Sequence, residues 1–236
     1  MRPTLFILLV AVFVAGALAA EKPDVPVLRF SATSPNCTIR TTDDGHVYYG
    51  ISTAEYDVTL GIDRQELEKV KHRVIPMLGV LINFKYKGDQ KFDVQQNRFT
   101  LEYVKHFQVV KSSLDPDTML QNLQAHIDDA TDEVERHQLK HHPGQKEKAE
   151  GELQSHLKDY TEMMDFVSTR ALRPVTLDAA NSTAEGWVFF STKDRWIGGW
   201  RPEQFILRLP VEDVMVEFPF QLPPEQGKVQ LRKRDE

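Results

Sequence analysis

Two histidines and one glutamate near the middle of the chain have the spacing of a metal site. His137 and His141 are four residues apart, and Glu133 lies four residues before His137. On an α-helix these side chains share one face, and imidazole and carboxylate groups are ligands for a divalent cation such as zinc. The residue after His137 is Gln138, however, where zinc hydrolases carry a glutamate general base. We therefore weigh a divalent-metal site against the plain tip of a helical hairpin, prefer the hairpin, and expect no other cofactor.

The segment that contains these residues has the hydrophobic period of two helices. Asp115-Pro116-Asp117 is a helix start with an N-cap aspartate and a first-turn proline. Apolar residues then recur at helical spacing up to a break at residues 142–144, and again up to Arg173-Pro174. We predict a long antiparallel helical hairpin over residues 115–172. A turn at Gly144 pairs residues whose numbers sum to about 288, which places His126 near Glu162.

The charge of the chain is concentrated in this hairpin. The whole chain has a formal charge of −6, whereas residues 115–170 contain 13 acidic and 6 basic residues, a net charge of −7. Five of the eight histidines also lie there, so we expect the surface charge of the hairpin to change near pH 6.5, about the ordinary histidine value. A nucleic-acid-binding face needs an excess of lysine and arginine, so we expect no nucleic-acid partner.

The flanking residues alternate between apolar and other side chains, which predicts strands. Leu78, Val80, Ile82, Phe84 and Tyr86 fall at every second position, and further runs of this kind follow on both sides of the hairpin. Short strands separated by turns are typical of a β-sandwich, for which we expect about seven strands. We therefore predict a mostly β fold with an α insertion: a sandwich built from residues 20–114 and 173–222, interrupted by the hairpin and followed by a flexible tail at 223–236.

The N-terminus has the composition of a secretory signal peptide. Arg2 precedes an apolar run from Leu5, and the run ends in the small residues Ala17-Leu18-Ala19. We predict that residues 1–19 form a signal peptide. The mature chain is then secreted or periplasmic, with no membrane span, and its partner is another extracytoplasmic protein.

Two tryptophans are the candidates for surface recognition. Trp196 and Trp200 flank Gly198-Gly199, and together they could form an aromatic platform for a sugar or a peptide. The alternative is packing over one end of the sandwich, which is the commoner use of aromatic side chains. No nucleophile elbow, phosphate-binding glycine loop or HExxH motif occurs in the sequence, so we name no catalytic residue.

One part of the sequence resembles a known class of domain. The stretch NFKYKGDQKFDVQQNRFTLEYV, with the later GWVFF and a final apolar strand pair, resembles immunoglobulin-like domains of secreted bacterial proteins of unknown function. The resemblance covers about half of the chain. It implies an immunoglobulin-like antiparallel β-sandwich outside the cytoplasm, and it carries no catalytic residues. The insertion at 115–172 departs from that pattern, so the resemblance implies nothing about its role.

These features favour a non-catalytic protein. We expect an exported binding or scaffolding module that presents an acidic, histidine-rich helical hairpin to a partner. One alternative is a metal-binding extracytoplasmic protein that uses Glu133, His137 and His141. The other is a secreted hydrolase whose site has no familiar motif, which a deep polar pocket with perturbed pKa values would reveal.

Overall fold

A computed structural model describes residues 25–43, 46–62, 77–105, 109–134, 136, 146–191 and 203–222. Several sequence predictions lie outside these ranges: the signal peptide at 1–19, the tail at 223–236, the residues His137 and His141, and the residues Trp196 and Trp200. They remain predictions.

The alternating segments form strands, and the segments with helical period form two helices. The strands are β1 (Val27–Arg29), β2 (Cys37–Thr41), β3 (Val47–Ser52), β4 (Tyr56–Ile62), β5 (Met77–Tyr86), β6 (Phe92–Val94), β7 (Thr100–Tyr103), β8 (Val109–Ser112), β9 (Val175–Leu177), β10 (Thr183–Ser191), β11 (Glu203–Val211) and β12 (Val214–Leu222). A short 3-10 helix covers Gln96–Arg98, and the two α-helices are α1 (Pro116–Glu133) and α2 (Lys146–Arg170). The prediction of a mostly β chain with an α insertion is confirmed.

Ten of the strands form two five-stranded sheets. Sheet A has the strand order β1-β12-β11-β7-β8, and sheet B has the order β10-β5-β4-β3-β2. The strands β6 and β9 form a separate two-stranded pair. All neighbours are antiparallel except β1, which runs parallel to β12 at the edge of sheet A. Twelve strands within the described ranges exceed the expected seven, and three of them, β1, β6 and β9, have only three residues each, too few to show an alternating pattern.

The two sheets share one hydrophobic core. On β5 the residues Leu78, Val80, Ile82 and Phe84 are fully buried, as their alternation predicts. They belong to one cluster with Leu207 of β11 and other side chains of sheet A. Because side chains alternate between the two faces of a strand, the residues between them lie on the outer face of sheet B.

The first helix begins where the sequence predicts. The side chain of Asp115 accepts a hydrogen bond of 2.8 Å from the backbone N–H of Thr118, and Pro116 occupies the first turn. This cap satisfies a backbone donor that has no partner inside the helix. The hydrogen bonds donated by Thr118 hold the pKa of the Asp115 carboxyl below its ordinary value.

The two helices contact each other at more than one level. Asp117 near the start of α1 pairs with Arg173 just beyond the end of α2, at 2.8 Å. Farther along, the rings of His126 and Tyr160 lie 6.1 Å apart and nearly parallel. His126 thus lies beside Tyr160, two residues before Glu162, which is the neighbour that the sequence predicts.

The helices are anchored to the outer face of sheet B. Met119 of α1 and Val167 of α2 form a buried cluster with Met77 of β5 and Phe189 of β10. The rings of Phe166 and Trp187 also pack together, 5.7 Å apart. The first turns of α1 and the last turns of α2 therefore bury their apolar side chains on the protein's own sheet.

Backbone hydrogen bonds clamp both ends of the insertion to β10. The N–H of Leu114 donates to the carbonyl of Phe189 before α1, and the N–H of Leu172 donates to the carbonyl of Trp187 after α2. The chain leaving α2 passes so close that a Cβ at Gly186 would lie 2.5 Å from the backbone nitrogen of Leu172. Only glycine permits this approach without a backbone shift.

The helix cap gives a testable prediction. We expect Asp115→Ala to lower the free energy of unfolding by about 1 kcal/mol at neutral pH, because the substitution leaves a donor of the first turn without its acceptor. Asp115→Asn should retain most of the stability, since an amide oxygen also caps. Urea denaturation followed by circular dichroism measures both values.

The stability that the Asp115 cap contributes depends on pH in a predictable direction. The folded-state pKa of Asp115 is lowered from 3.8, so its contribution is complete above that pH and is lost as the pH falls through the folded value. The difference between the wild type and Asp115→Ala should therefore shrink in acid. An equal loss of stability in the Asn and Ala variants would contradict the assignment of the cap.

Candidate functional site

The structure places one of the three predicted metal ligands. Glu133 ends α1 with an exposed side chain. Within the described ranges no group of three or more histidine, cysteine, aspartate or glutamate side chains is arranged to hold a metal ion. His137, His141 and both tryptophans lie outside those ranges, so the metal site and the aromatic platform stay predictions.

The exposed side of α1 is strongly acidic. The helix contains five carboxylates and no lysine or arginine, and four of them lie in its second half: Asp128, Asp129, Asp132 and Glu133. All four are exposed. Asp128 with Asp132 and Asp129 with Glu133 are like charges four residues apart, and such pairs destabilise a helix. An exposed pair between Asp132 and Arg136, at 2.9 Å, compensates part of this charge.

The outer face of sheet B contains a polar depression next to the helices. We call it the sheet B trough; its volume is about 240 Å³ and its lining residues are Arg40, Tyr48, Thr59, Gly61, Leu81, Asn83 and Glu185. These residues come from five neighbouring strands, in two adjacent cross-strand rows. The trough continues the surface beyond Trp187, where the contact with α2 ends.

Side-chain contacts hold both ends of the sheet B trough. At one end the amide nitrogen of Asn83 donates a hydrogen bond of 2.6 Å to the carboxylate of Glu185. At the other end the guanidinium carbon of Arg40 lies 4.9 Å from the centre of the Tyr48 ring. That ring covers Gly61, where an added Cβ would lie 3.0 Å from it. The trough therefore has an amide–carboxylate pair at one end and an aromatic–cation stack at the other.

The outer face of sheet A contains a ladder of four charged residues across four strands. Arg208 of β11 pairs with Glu102 of β7 at 2.5 Å and with Glu217 of β12 at 2.8 Å, and Arg29 of β1 pairs with Glu217 at 2.5 Å. Although they lie on an outer face, Glu102 is only 9% exposed and Glu217 only 5%. Burial alone would raise the pKa of Glu217, but hydrogen bonds from Arg208 and Arg29 outweigh it and lower this pKa.

The perturbed carboxyl groups have structural roles. The lowered pKa of Glu217 belongs to the ladder and that of Asp115 to the helix cap. Burial opposes the shift at Asp57, but hydrogen bonds from Lys87 and Ser52 and the positive charges of Lys87 and Lys85 lower its pKa. Burial also raises the pKa of Tyr56 to about 12, with a smaller effect of the Glu212 carboxylate. None of these four groups supplies the acid–base pair that the secreted hydrolase hypothesis needs.

Sequence reasoning named none of the residues in the sheet B trough. The alternation on β5 does indicate that Leu81 and Asn83 point away from the core. It cannot indicate that Asn83 meets Glu185, because these residues are 102 positions apart in the chain and meet only through the pairing of β5 with β10.

The charged ladder gives a second prediction. We expect Arg208→Gln to lower the free energy of unfolding at neutral pH by about 2 kcal/mol, because Glu102 and Glu217 then stay nearly buried with fewer opposite charges. Arg98→Gln is the matched control, since Arg98 is exposed and should tolerate the change. Chemical denaturation at several pH values measures the effect.

Acidification should reduce this difference. The pKa of Glu217 in the folded protein is lowered from 4.5, so the ladder contributes fully above about that value and less as the pH falls through the folded value. Arg208→Gln lacks part of this contribution, so acid lowers its free energy of unfolding less than that of the wild type. A stability difference that stays constant down to strongly acidic pH would contradict the ion-pair explanation.

The comparisons with known proteins return no relative of this chain. No protein-family model matches the sequence, no curated protein matches it, and no solved structure matches the fold. The resemblance to immunoglobulin-like domains is therefore still a prediction, and the function has to be argued from the geometry of the described residues.

Proposed function

We propose that this protein is an exported, non-catalytic binding or scaffolding module that presents an acidic helical hairpin to a partner protein outside the cytoplasm. In this proposal the two sheets form an immunoglobulin-like β-sandwich, and α1 and α2 form an antiparallel hairpin inserted into it. The sandwich serves as the rigid support, and the hairpin serves as the recognition element.

Two contacts between the helices support the antiparallel arrangement. Asp117 contacts Arg173, and farther along α1 His126 contacts Tyr160, which lies earlier in α2. Moving forward along one helix thus means moving backward along the other. The residue numbers of both pairs sum close to 288, the value expected for a turn at Gly144.

The observation that carries the proposal is the unequal chemistry of the two ends of the helix pair. The end near the sheet is buried, with Met119 and Val167 packed on Phe189. The second half of α1 instead exposes four carboxylates, which form two like-charge pairs four residues apart that cost helix stability. A surface that costs helix stability, yet is supported rigidly, suits recognition of a basic partner surface.

Neutralising this acidic surface tests the proposal. The variant Asp128→Asn, Asp129→Asn, Asp132→Asn and Glu133→Gln removes four charges from α1, and we expect it to lose crosslinking to the partner in native secretory or envelope extract. Capture by the wild type should also weaken at high salt, because exposed charges are screened over a Debye length of about 10 Å at 0.1 M.

A matched control removes the same charge from the sheets. The variant Asp43→Asn, Glu55→Gln, Asp89→Asn and Asp213→Asn changes four exposed carboxylates far along the chain from α1. It should capture the same partner as the wild type. Equal capture by the α1 variant and by this control, or no capture by the wild type, would contradict the proposal.

Stability measurements separate recognition from folding. If the α1 carboxylates are present for binding, their neutralisation should raise the free energy of unfolding by about 0.5 kcal/mol, because it removes two like-charge pairs four residues apart on the helix. A loss of stability in the α1 variant would instead indicate that these side chains maintain the fold.

A further inference from the structure

We propose that residues 228–232 of this chain dock as an added strand along the open edge of β12, the part of that strand at residues 218–222. This inference goes beyond the proposed function, because it concerns an edge of sheet A and not the acidic half of α1. It rests on the hydrogen-bond pattern of β12, on an apolar pocket beside it, and on the residues that follow Leu222 in the chain.

Only part of β12 has a neighbour on each side. The short strand β1 pairs with residues 215–217, whereas residues 218–222 pair with β11 alone among the described strands. The ladder with β1 ends in a hydrogen bond of 2.8 Å from the N–H of Phe30 to the carbonyl of Glu217. The next residue of β12 on this side is Pro219, which has no N–H to donate, so the ladder cannot continue in the same way.

Backbone groups beyond β1 point toward the open edge of β12. The N–H of Met215 and the carbonyl of Glu217 bond to the chain around β1. Every second residue of a strand directs its backbone groups to the same side, so Pro219 and Gln221 also face this edge. An added strand can donate to both of their carbonyls and accept from the N–H of Gln221. Such a row of backbone groups is a template for pairing with another segment.

An apolar pocket of about 480 Å³ lies beside the same edge. Pro219 and Phe220 of β12 line it together with Ile39 and Tyr49 of sheet B, which are both half-buried. None of its lining residues is charged, and most of them are aliphatic or aromatic. When an extended segment pairs with a sheet edge, its backbone makes the hydrogen bonds and its alternate side chains fill pockets of this kind.

The chain beyond Leu222 contains a segment with the pattern of a strand. Composition predicts a flexible tail at 223–236, but within it Lys228-Val229-Gln230-Leu231-Arg232 alternates between polar and apolar residues. Because strand side chains alternate between two faces, Val229 and Leu231 share one face and the three polar residues share the other. The apolar face can therefore enter the pocket while the polar face meets solvent.

The residues between β12 and this segment suit a reversal of the chain. Pro223 and Pro224 have no N–H, so they cannot extend the backbone pairing of β12, and Gly227 accepts the conformations of tight turns. The linking residues 223–227 number five, within the range of about two to five that is common in hairpin loops. So short a link gives the segment an effective concentration on the order of millimolar, which favours docking even when the contacts are weak.

Hydrogen exchange of the Gln221 backbone amide tests the inference. In the docked state this N–H is bonded to the added strand, so we expect it to exchange at least about tenfold more slowly in the mature protein than in a chain that ends at Leu222. Nuclear magnetic resonance measures this rate. Nuclear Overhauser contacts between the Leu231 methyl groups and the Tyr49 ring should place the segment at the pocket.

Substitutions that keep the full chain separate docking from the loss of residues. Val229→Ser with Leu231→Ser removes the apolar side chains that fill the pocket, and it should speed exchange of the Gln221 amide about tenfold. Lys228→Ser with Gln230→Ser is the matched control, because these side chains face solvent in the docked state, and it should leave the rate unchanged. Circular dichroism confirms that each variant is folded.

Three results would overturn the inference. They are rapid exchange of the Gln221 amide in the mature protein, slow exchange that survives truncation at Leu222, and equal effects of the two double variants. Slow exchange that survives truncation and increases with protein concentration would assign the edge to a second copy of the chain. Because the α1 variant keeps both the edge and residues 228–232, it should show the wild-type rate, so failure here and failure of the proposed function are distinguishable.

Discussion

The pairing of β10 with β5 is the interaction on which the other features of this protein depend. It joins a strand that follows the helices to a strand that precedes them, and it extends over nine residue pairs from Thr183 with Lys85 to Ser191 with Met77. This single ladder completes sheet B at its edge. It also decides which side chains meet on both faces of the sheet.

Each face of this ladder serves a different purpose. On the inner face Val188 and Phe190 join the core shared with sheet A. On the outer face Phe189 lies beside Met77 and anchors the helices, whereas Glu185 lies beside Asn83 at the sheet B trough. A shift of one residue in this register would exchange the two faces, and core, anchor and trough would be lost together.

Buried charge gives the outer face of sheet A a different character. Glu217 is nearly inaccessible on a face that helices do not cover within the described part of the chain, and two arginines from neighbouring strands hold it in the ionised form. The stability of such a network depends on every member, because removal of an arginine would leave a nearly buried carboxylate without its opposite charge. The acidic surface of α1 is the opposite case: its carboxylates are exposed, the helix itself contains no lysine or arginine, and the carboxylates are dispensable for folding in the proposal above.

Local patterns in the sequence determined the elements. The alternation of apolar residues determined which side of β5 is buried, the Asp115-Pro116 pair determined where α1 begins, and the change of period determined that two helices interrupt the strands. Each of these is a matter of residues close together in the chain, whose spacing is set by the geometry of a helix or a strand. The acidic, histidine-rich composition of the insertion is likewise read directly from the sequence. A metal site at His137 and His141 and an aromatic platform at Trp196 and Trp200 depend on contacts in the folded chain, so these sites remain hypotheses.

Only the tertiary structure decided how distant strands pair. The sequence analysis did not foresee the parallel placement of β1 beside β12, the number of strands, the ladder around Arg208 or the meeting of Asn83 with Glu185. A strand's own pattern states which face is apolar, but many partners and registers satisfy the same pattern. The choice among them is made by packing a single core between two sheets, which is a property of the whole chain.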